Sequence, residues 1–340
     1  MTETAFESLK KDLRIGEKKI PSRQVTFLET HISYLILLKQ EVYKLKKTVK
    51  LPFVDFSDLS SRKKACEEEL KLNRRLAPTV YLDVLPVKDH HGTTRIGTSV
   101  GKTVDYAVKM KRINNELEMD RLLDRKIVTH SQIENLAKVI SDFHLNAATV
   151  QKIWKADHLK STYNQLGDWH AFARDELGQA YADIIDQSCR SSDRFIDQHI
   201  EIINSRSQRG YVRDLHGDLH SHNIFLTHPP VVFDCIEFDE DLRQIDLLNE
   251  IAFFLMDLEY YQAYSLSSHF VKCYQHHLQS TDLGQFMHKD LLLYFKMYRA
   301  AVRAKVLMIS AKDATQEKSK YLEEVRQYLD LVSKYLKELA

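Results

Sequence analysis

Hydrophobic and polar positions divide the 340-residue chain into two textures. From about Arg23 to Arg112 the pattern is strand-like, interrupted by one helix. Residues 24–38 and 41–46 are rich in β-branched and aromatic side chains with partial alternation, which predicts strands. Lys39-Gln40 reads as a tight turn between them. Ser57 or Asp58 is placed to cap a helix that runs to about Leu76, and Ala77-Pro78 ends it. Residues 79–87 and 103–111 read as two more strands, joined by a glycine-bearing loop. After Asn114 helical spacing dominates, over 116–125, 131–147, 165–188, 192–207, 242–263, 266–279, 289–311 and 315–339. Residues 211–238 form an island of short apolar runs, a Pro229-Pro230 turn and clustered polar residues. That island predicts short strands and a loop set into a helical domain. No internal repeat or low-complexity tract interrupts the order. The expected class is α+β: a small antiparallel sheet-plus-helix lobe over residues 1–113, then a larger, mostly helical lobe over 114–340.

Composition sharpens this picture. The chain holds only 9 glycines, where average usage would give about 24. Glycine costs about 1 kcal/mol in a helix interior, so its scarcity agrees with helical bias. It also means that few places can hold a glycine-rich phosphate loop. The formal net charge of +1 argues against a nucleic-acid partner. The longest apolar stretch, Ile251 to Met256, is too short to span a membrane, so no membrane partner is expected. The N-terminus has no basic flank or apolar core, so no signal peptide is expected. Cys66, Cys189, Cys235 and Cys273 are scattered and form no CxxC pair or disulfide framework. A cytoplasmic, reduced protein is the expectation. A 44% apolar content excludes wholesale disorder.

The island contains His216-Gly217-Asp218-Leu219-His220-Ser221-His222-Asn223, and Asp234 follows the apolar run Val231-Val232-Phe233. Phosphoryl transfer from Mg-ATP needs one carboxylate to orient the acceptor hydroxyl and take its proton. It also needs a neutral oxygen ligand and a second carboxylate to hold the metal. An Asp, an Asn five residues later and an Asp at a strand end supply that set. Mg²⁺ prefers a few such hard oxygens plus phosphate and water.

This segment resembles the aminoglycoside phosphotransferase-like branch of the protein-kinase-like fold, whose catalytic loop reads HGDxxxxN. Residues 29–33 (ETHIS), 43–47 (YKLKK), 53–57 (FVDFS), 67–78 (EEELKLNRRLAP), 104–112 (VDYAVKMKR) and 233–238 (FDCIEF) look like an uncharacterised bacterial subgroup of it. That subgroup often carries a C-terminal ATP-binding domain. The similarity covers roughly residues 20–310. It implies a bilobal kinase-like fold, with a nucleotide-binding lobe and a helical lobe holding the catalytic loop and acceptor site. It implies transfer of the ATP γ-phosphate to a hydroxyl of a small-molecule acceptor resembling an aminoglycoside, sugar or amino alcohol, with ATP and Mg²⁺ as cofactors. Asp218 then matches the catalytic Asp, and Asn223 and Asp234 match the Mg²⁺ ligands. His216 matches the histidine that props the loop. His220 stands where it either touches the transferred phosphate or packs the loop.

The resemblance also implies a strand lysine for the phosphates and a helix glutamate to steady it. Lys44 and Lys46 share one strand face with Val42. Lys44 is favoured, because Val42 then takes the place of the small residue over the adenine; Lys46 is the alternative. An exposed basic edge strand is the plain explanation of Lys46 and Lys47. Of the consecutive Glu67, Glu68 and Glu69, alignment of the helix end favours Glu69, with Glu68 close behind. Asp246 and Glu250 match acids that anchor the catalytic loop, with Glu250 replacing the usual Asp. Glu237 reads either as tuning the metal site or as surface charge. Asp257, Glu259, Tyr260 and Tyr261 cluster where the acceptor is expected, and an acidic pocket would suit a cationic acceptor; core or surface is the plain reading of most of them, and none is assigned to the site.

Two features imitate other sites. Gly97-Thr-Ser-Val-Gly101-Lys102-Thr103 has three residues between its glycines where a P-loop has four, and a strand follows it, so it reads as a hairpin turn. His90-His91 and His276-His277 lack partners at metal spacing. The chain also departs from protein kinases. Residues 23–35 contain no glycine, so the usual phosphate loop is missing, and Thr30, Ser33 or local amides are the candidates to contact the phosphates. No Ala-Pro-Glu or long activation segment follows Asp234, which disfavours a protein kinase. A nucleotide-binding pseudoenzyme on the same fold is the other alternative. Residues 289–340 read as helical without a P-loop, so the subgroup's second domain is not expected here.

Overall fold

A computed structural model describes residues 1–51, 54–314 and 316–339. Phe53 in the segment 53–57, Thr315 at the predicted start of the last helix, and Ala340 lie outside the described residues. Contacts divide the chain into two compact units. One comprises Met1–Arg121 with Asn223–Leu242, and the other Leu122–His222 with Arg243–Ala340.

The first unit contains α1 (Glu3–Lys11), β1 (Arg14–Ile15), β2 (Lys18–Lys19), β3 (Thr26–Glu29), β4 (Ser33–Leu37), β5 (Glu41–Lys46), β6 (Lys50–Leu51), β7 (Val54–Asp55), α2 (Leu59–Asn73), β8 (Tyr81–His90), β9 (Thr93–Ile96) and β10 (Lys102–Lys111). Eight strands form one sheet in the order β2-β1-β9-β8-β10-β5-β4-β3. Among the described residues, the β1–β9 pair of this sheet is parallel and its other pairs are antiparallel. Strand β5 lies inside the sheet, with Lys44 opposite Val108 on one side and Leu35 on the other. It is therefore not the basic edge strand that its lysines suggested.

The run 24–38 is a hairpin rather than one strand. Thr30 turns the chain: its Oγ1 accepts the Ser33 amide at 3.0 Å and donates to the Ser33 carbonyl at 3.2 Å. A short side chain that bonds its own backbone competes with the sheet ladder, and here it wins. The predicted loop before β10 contains an additional strand, β9, and Gly97–Gly101 turns the chain from β9 into β10. Gly101 has φ +102, and a Cβ there would stand 2.4 Å from the Asp89 carbonyl oxygen. Close backbone packing explains this glycine.

Helix α2 is capped by Asp58, whose side chain accepts the Ser61 amide at 2.8 Å. Its buried face is polar, with Arg62, Cys66, Glu69 and Asn73 at helical spacing. Arg62 meets Asp105 of β10 through Nε at 3.0 Å, with both side chains buried. Hydrophobic periodicity is weak in this helix because its packing depends on paired polar groups.

The second unit is built of helices. The chain passes through α3 (Met119–Asp124) into α4 (His130–Asn146), α5 (Ala156–Asn164), α6 (His170–Leu177), α7 (Gln179–Gln208), α8 (Leu247–Tyr260), α9 (Tyr264–Leu278), α10 (Lys289–Asp313) and α11 (Lys318–Leu339). Two predicted helices, 165–188 and 192–207, are divided differently. The break falls at Gly178, and α7 continues through 189–191, where no residue stops a helix. Helices α1 and α5 were not legible as elements. Helix α8 is buried nearly all round, from Leu247 to Glu259, which marks it as a central core helix. The island contributes the pair Ile224–Phe225 with Val231–Val232, and its strand Val212–Asp214 pairs with Gln244–Asp246 beyond it.

Candidate active site

The first unit gathers Lys44, Lys46, Glu69, Asp234 and Glu237. Lys44 Nζ lies 2.9 Å from Glu69 Oε1 and 2.7 Å from Asp234 Oδ1. Lys46 Nζ lies 2.6 Å from Glu69 Oε2 and pairs with Glu237. Alternation along β5 puts both lysines on one face, and α2 brings Glu69 between them. Glu68 instead binds Lys71 at the surface. Lys46 and Glu69 are fully buried, and the Glu237 side chain is 5% exposed, so Glu237 is not surface charge. The Asp234 carboxylate is 45% exposed and remains accessible to a ligand.

Burial by itself pushes the Glu69 carboxyl up, but the ammonium groups of Lys44 and Lys46 hold it at about 2. Burial likewise opposes the charge on Lys44, and Asp234 and Glu69 raise it well above its ordinary value. Glu69 and the two lysines therefore hold one another in their charged forms.

Asp234 has left-handed backbone, φ +62, which aspartate tolerates better than most residues. Neighbours fix this turn. The Asp234 amide donates to the Tyr81 hydroxyl at 3.3 Å, and the Cys235 amide to Asn73 Oδ1 at 2.9 Å. Asn73 Nδ2 in turn donates to the Glu69 carbonyl at 2.9 Å. The Phe233 amide donates to the Asn223 carbonyl at 3.0 Å, which joins the two predicted metal-ligand segments. One carboxylate and one side-chain amide are hard oxygen donors that fit Mg²⁺, an ion usually completed by phosphate oxygens and water. Val42 is partly buried and packs against the apolar cluster that contains Cys66, Val80, Tyr81 and Val108. Thr30's hydroxyl is engaged within its own turn and Ser33 is buried.

The second unit holds the loop carrying Asp218. Gly217 has φ +85, and the amides of His216 and Gly217 donate to the two oxygens of Glu250 at 3.0 and 2.7 Å. Glu250 thus anchors the loop despite replacing the expected Asp. Asp246 does not share that task. It caps α8 by accepting the Leu248 amide at 2.8 Å and forms a two-bond pair with Arg206, at 2.6 and 2.8 Å. The register of the short strand Gln244–Asp246 directs it to α7 instead of the loop.

The Asp218 amide donates to His216 Nδ1 at 3.2 Å, so His216 props the turn from inside. His220 Nε2 lies 3.2 Å from Asp218 Oδ2. Burial raises the Asp218 carboxyl, but His220 beside it, with Arg303 and His216, holds it well below the ordinary carboxylate range. Several further loop contacts were not anticipated. Arg299 donates to the Gly217 carbonyl at 3.1 Å, and His144 bridges Glu250 at 3.3 Å and the Tyr274 hydroxyl at 2.6 Å. The Ser221 amide donates to Asp257 Oδ2 at 2.7 Å. Asp257 and Arg299 lie 36 and 82 residues from their loop partners along the chain, and spacing within the motif carries no sign of them.

No family model matches the chain. An uncharacterized protein of Mycobacterium tuberculosis (strain ATCC 25618 / H37Rv) is 28% identical over 287 residues, covering 82% of this chain and 53% of the relative. One from Mycobacterium bovis matches to the same extent. The chain thus spans about half the length of the curated relatives it matches. Among solved structures, choline kinase from Cryptosporidium parvum Iowa II is similar with a TM-score of 0.55. It is 12% identical, covering 99% of this chain and 96% of that one. The fold is protein-kinase-like. A choline/ethanolamine kinase family protein from Mesorhizobium loti is similar at a TM-score of 0.49 and 11% identity, covering 93% and 92% of the two chains. No helix among the described residues is long and apolar enough to cross a membrane.

Proposed function

We propose that the chain is an ATP-dependent phosphotransferase that moves the γ-phosphate to a hydroxyl of a small molecule, within the aminoglycoside phosphotransferase-like family and in the cytoplasm. The observation that carries this is Lys44 Nζ, held at once by Glu69 at 2.9 Å and Asp234 at 2.7 Å. A buried carboxylate that fixes a lysine beside a second, accessible carboxylate is what phosphate and metal binding require.

Lys44, steadied by Glu69, orients the nucleotide phosphates. Asn223 and Asp234 hold Mg²⁺, which when bound shields phosphate charge. Asp218 orients the acceptor hydroxyl and accepts its proton, while His220 keeps that carboxylate ionised and placed. The hydroxyl oxygen bonds to the γ-phosphorus, the bond to the β–γ bridging oxygen breaks, and ADP leaves.

ADP release from Mg-ATP, measured with a panel of amino alcohols, sugars, amino sugars and hydroxy acids, tests this. Turnover with at least one acceptor, reduced by about 10²-fold or more in Asp218→Asn, is expected. No turnover together with intact ATP-analogue binding favours a nucleotide-binding module, to which the glycine-free β3–β4 turn lends support. Phosphorylation confined to protein acceptors would sink the small-molecule reading.

A further inference from the structure

The acceptor side of the second unit has a charge character that its composition does not suggest. Asp257 and Glu259 look like a cage for a cation, yet both are engaged. Asp257 accepts the Ser221 amide. Glu259 is surrounded by Lys296 at 2.5 Å, Lys334 at 3.0 Å and the Tyr335 hydroxyl at 2.9 Å. Asp218 itself is taken by His220.

Helix α10 supplies the opposite charge. Arg299 is fixed against the Gly217 carbonyl, donates through Nε to Asn249 Oδ1 at 2.7 Å, and lies 4.7 Å over the Phe253 ring. Arg303 follows one turn later on the same face. Its guanidinium lies 5.6 Å from the Tyr328 ring centre. Tyr328 stacks on Tyr260 at 4.5 Å, and Tyr260 meets Tyr261 at 5.1 Å. Arg303 feels the charges of Asp218 and Asp257. Among the described residues, however, no carboxylate comes within ion-pairing distance of it. A guanidinium has five donors in a fork that matches a carboxylate. Most of them remain uncommitted in this half-buried side chain.

We infer that the acceptor is a hydroxy acid: Arg303 binds an anionic oxygen group, a carboxylate above all, carried near the hydroxyl that is phosphorylated. The inference rests on the phosphotransferase reading for the hydroxyl, and on Arg303, Tyr328 and the engaged acids for the anion.

Acceptors of matched skeleton and different charge test it with the full chain: glycerate against glycerol, gluconate against glucose and glucosamine, and choline as a cation. ADP release under Mg-ATP should show kcat/KM at least about 10-fold higher for the acids than for their neutral partners. Arg303→Gln should raise KM for the acids by 10-fold or more, with a smaller change for any neutral alcohol that turns over. Arg303→Lys keeps the charge without the fork and should fall between, which keeps the test readable if Arg303→Gln folds poorly. Preference for choline or glucosamine overturns the inference. So does an equal loss for acids and alcohols in Arg303→Gln, which would place the guanidinium on the transferred phosphate. Calorimetric binding of the same acids beside a non-hydrolysable ATP analogue separates the two failures. Acid binding that Arg303→Gln abolishes, without turnover, upholds the anion site and overturns the transfer reaction. Absence of acid binding overturns the anion site.

Discussion

Glu250 accepts the backbone amide of Gly217 at 2.7 Å, one peptide before Asp218. Its other oxygen takes the His216 amide, and burial, which pushes its carboxyl up, is outweighed by His144. Replacing Glu250 with Ala leaves two buried amides without an acceptor. An unmet buried donor costs about 1–3 kcal/mol, so the loss of two in Glu250→Ala should cost about 2–6 kcal/mol. Glu250→Gln keeps one acceptor and should lose less. Urea denaturation would read this as a lower midpoint with an unchanged slope. A midpoint equal to wild type for Glu250→Ala would contradict the anchor.

Lys44 and Lys46 share Glu69 but should respond differently to removal. Lys46 is fully buried between Glu69 and Glu237, so Lys46→Met leaves Glu237 buried without its cation. Breaking a buried pair costs about 3–5 kcal/mol. Lys44 is partly exposed, and its loss leaves Glu69 paired with Lys46. Lys44→Met should therefore unfold near the wild-type temperature but lose most of the thermal shift produced by a Mg-bound ATP analogue. The opposite ranking of the two variants would reverse the assignment of nucleotide and structural lysines.

Acid should unfold the protein partly through Glu69. Its carboxyl ionises at about 2 in the folded state, below the ordinary value of 4.5. A lowered folded value means that the unfolded chain binds the proton first as pH falls. The stabilisation is present in full above the unfolded value and is lost as pH falls from about 4.5 toward about 2. Glu69→Gln should be less stable at neutral pH and show a flatter decline over that window. Parallel acid limbs for the variant and wild type would count against the ionised cluster.

Gly101 belongs to a turn, and its substitution should affect folding rather than nucleotide binding. Gly101→Ala must fit a Cβ against the Asp89 carbonyl at φ +102. A strained backbone of this kind costs about 1–3 kcal/mol. Thermal melts should show that loss, while the affinity for an ATP analogue stays within twofold of wild type. A selective loss of affinity with unchanged stability would restore the phosphate-loop interpretation.

Much of the candidate motif is local in sequence, and local order is what a sequence encodes most directly. Asp218, Asn223 and Asp234 stand at spacings set by one loop and one strand pair, so their pattern is visible without a structure. The alternation Val42-Lys44-Lys46 likewise places both lysines on one face before any fold is known. The two textures of the chain foretell a sheet-rich unit and a helical one, because periods of two and of 3.6 residues follow from backbone geometry. Tertiary structure alone decided the partners. Asp246 goes to Arg206 and Glu250 to the loop amides because strand register and the seating of α8 direct them there. Glu237 is buried against Lys46, 191 residues away in the chain, and Arg303 meets Tyr328 because α10 lies against α11. Helix α2 was dim in the hydrophobic pattern for the same reason: Arg62, Glu69 and Asn73 are buried by partners from distant segments, and a polar residue's own identity does not reveal whether such a partner exists.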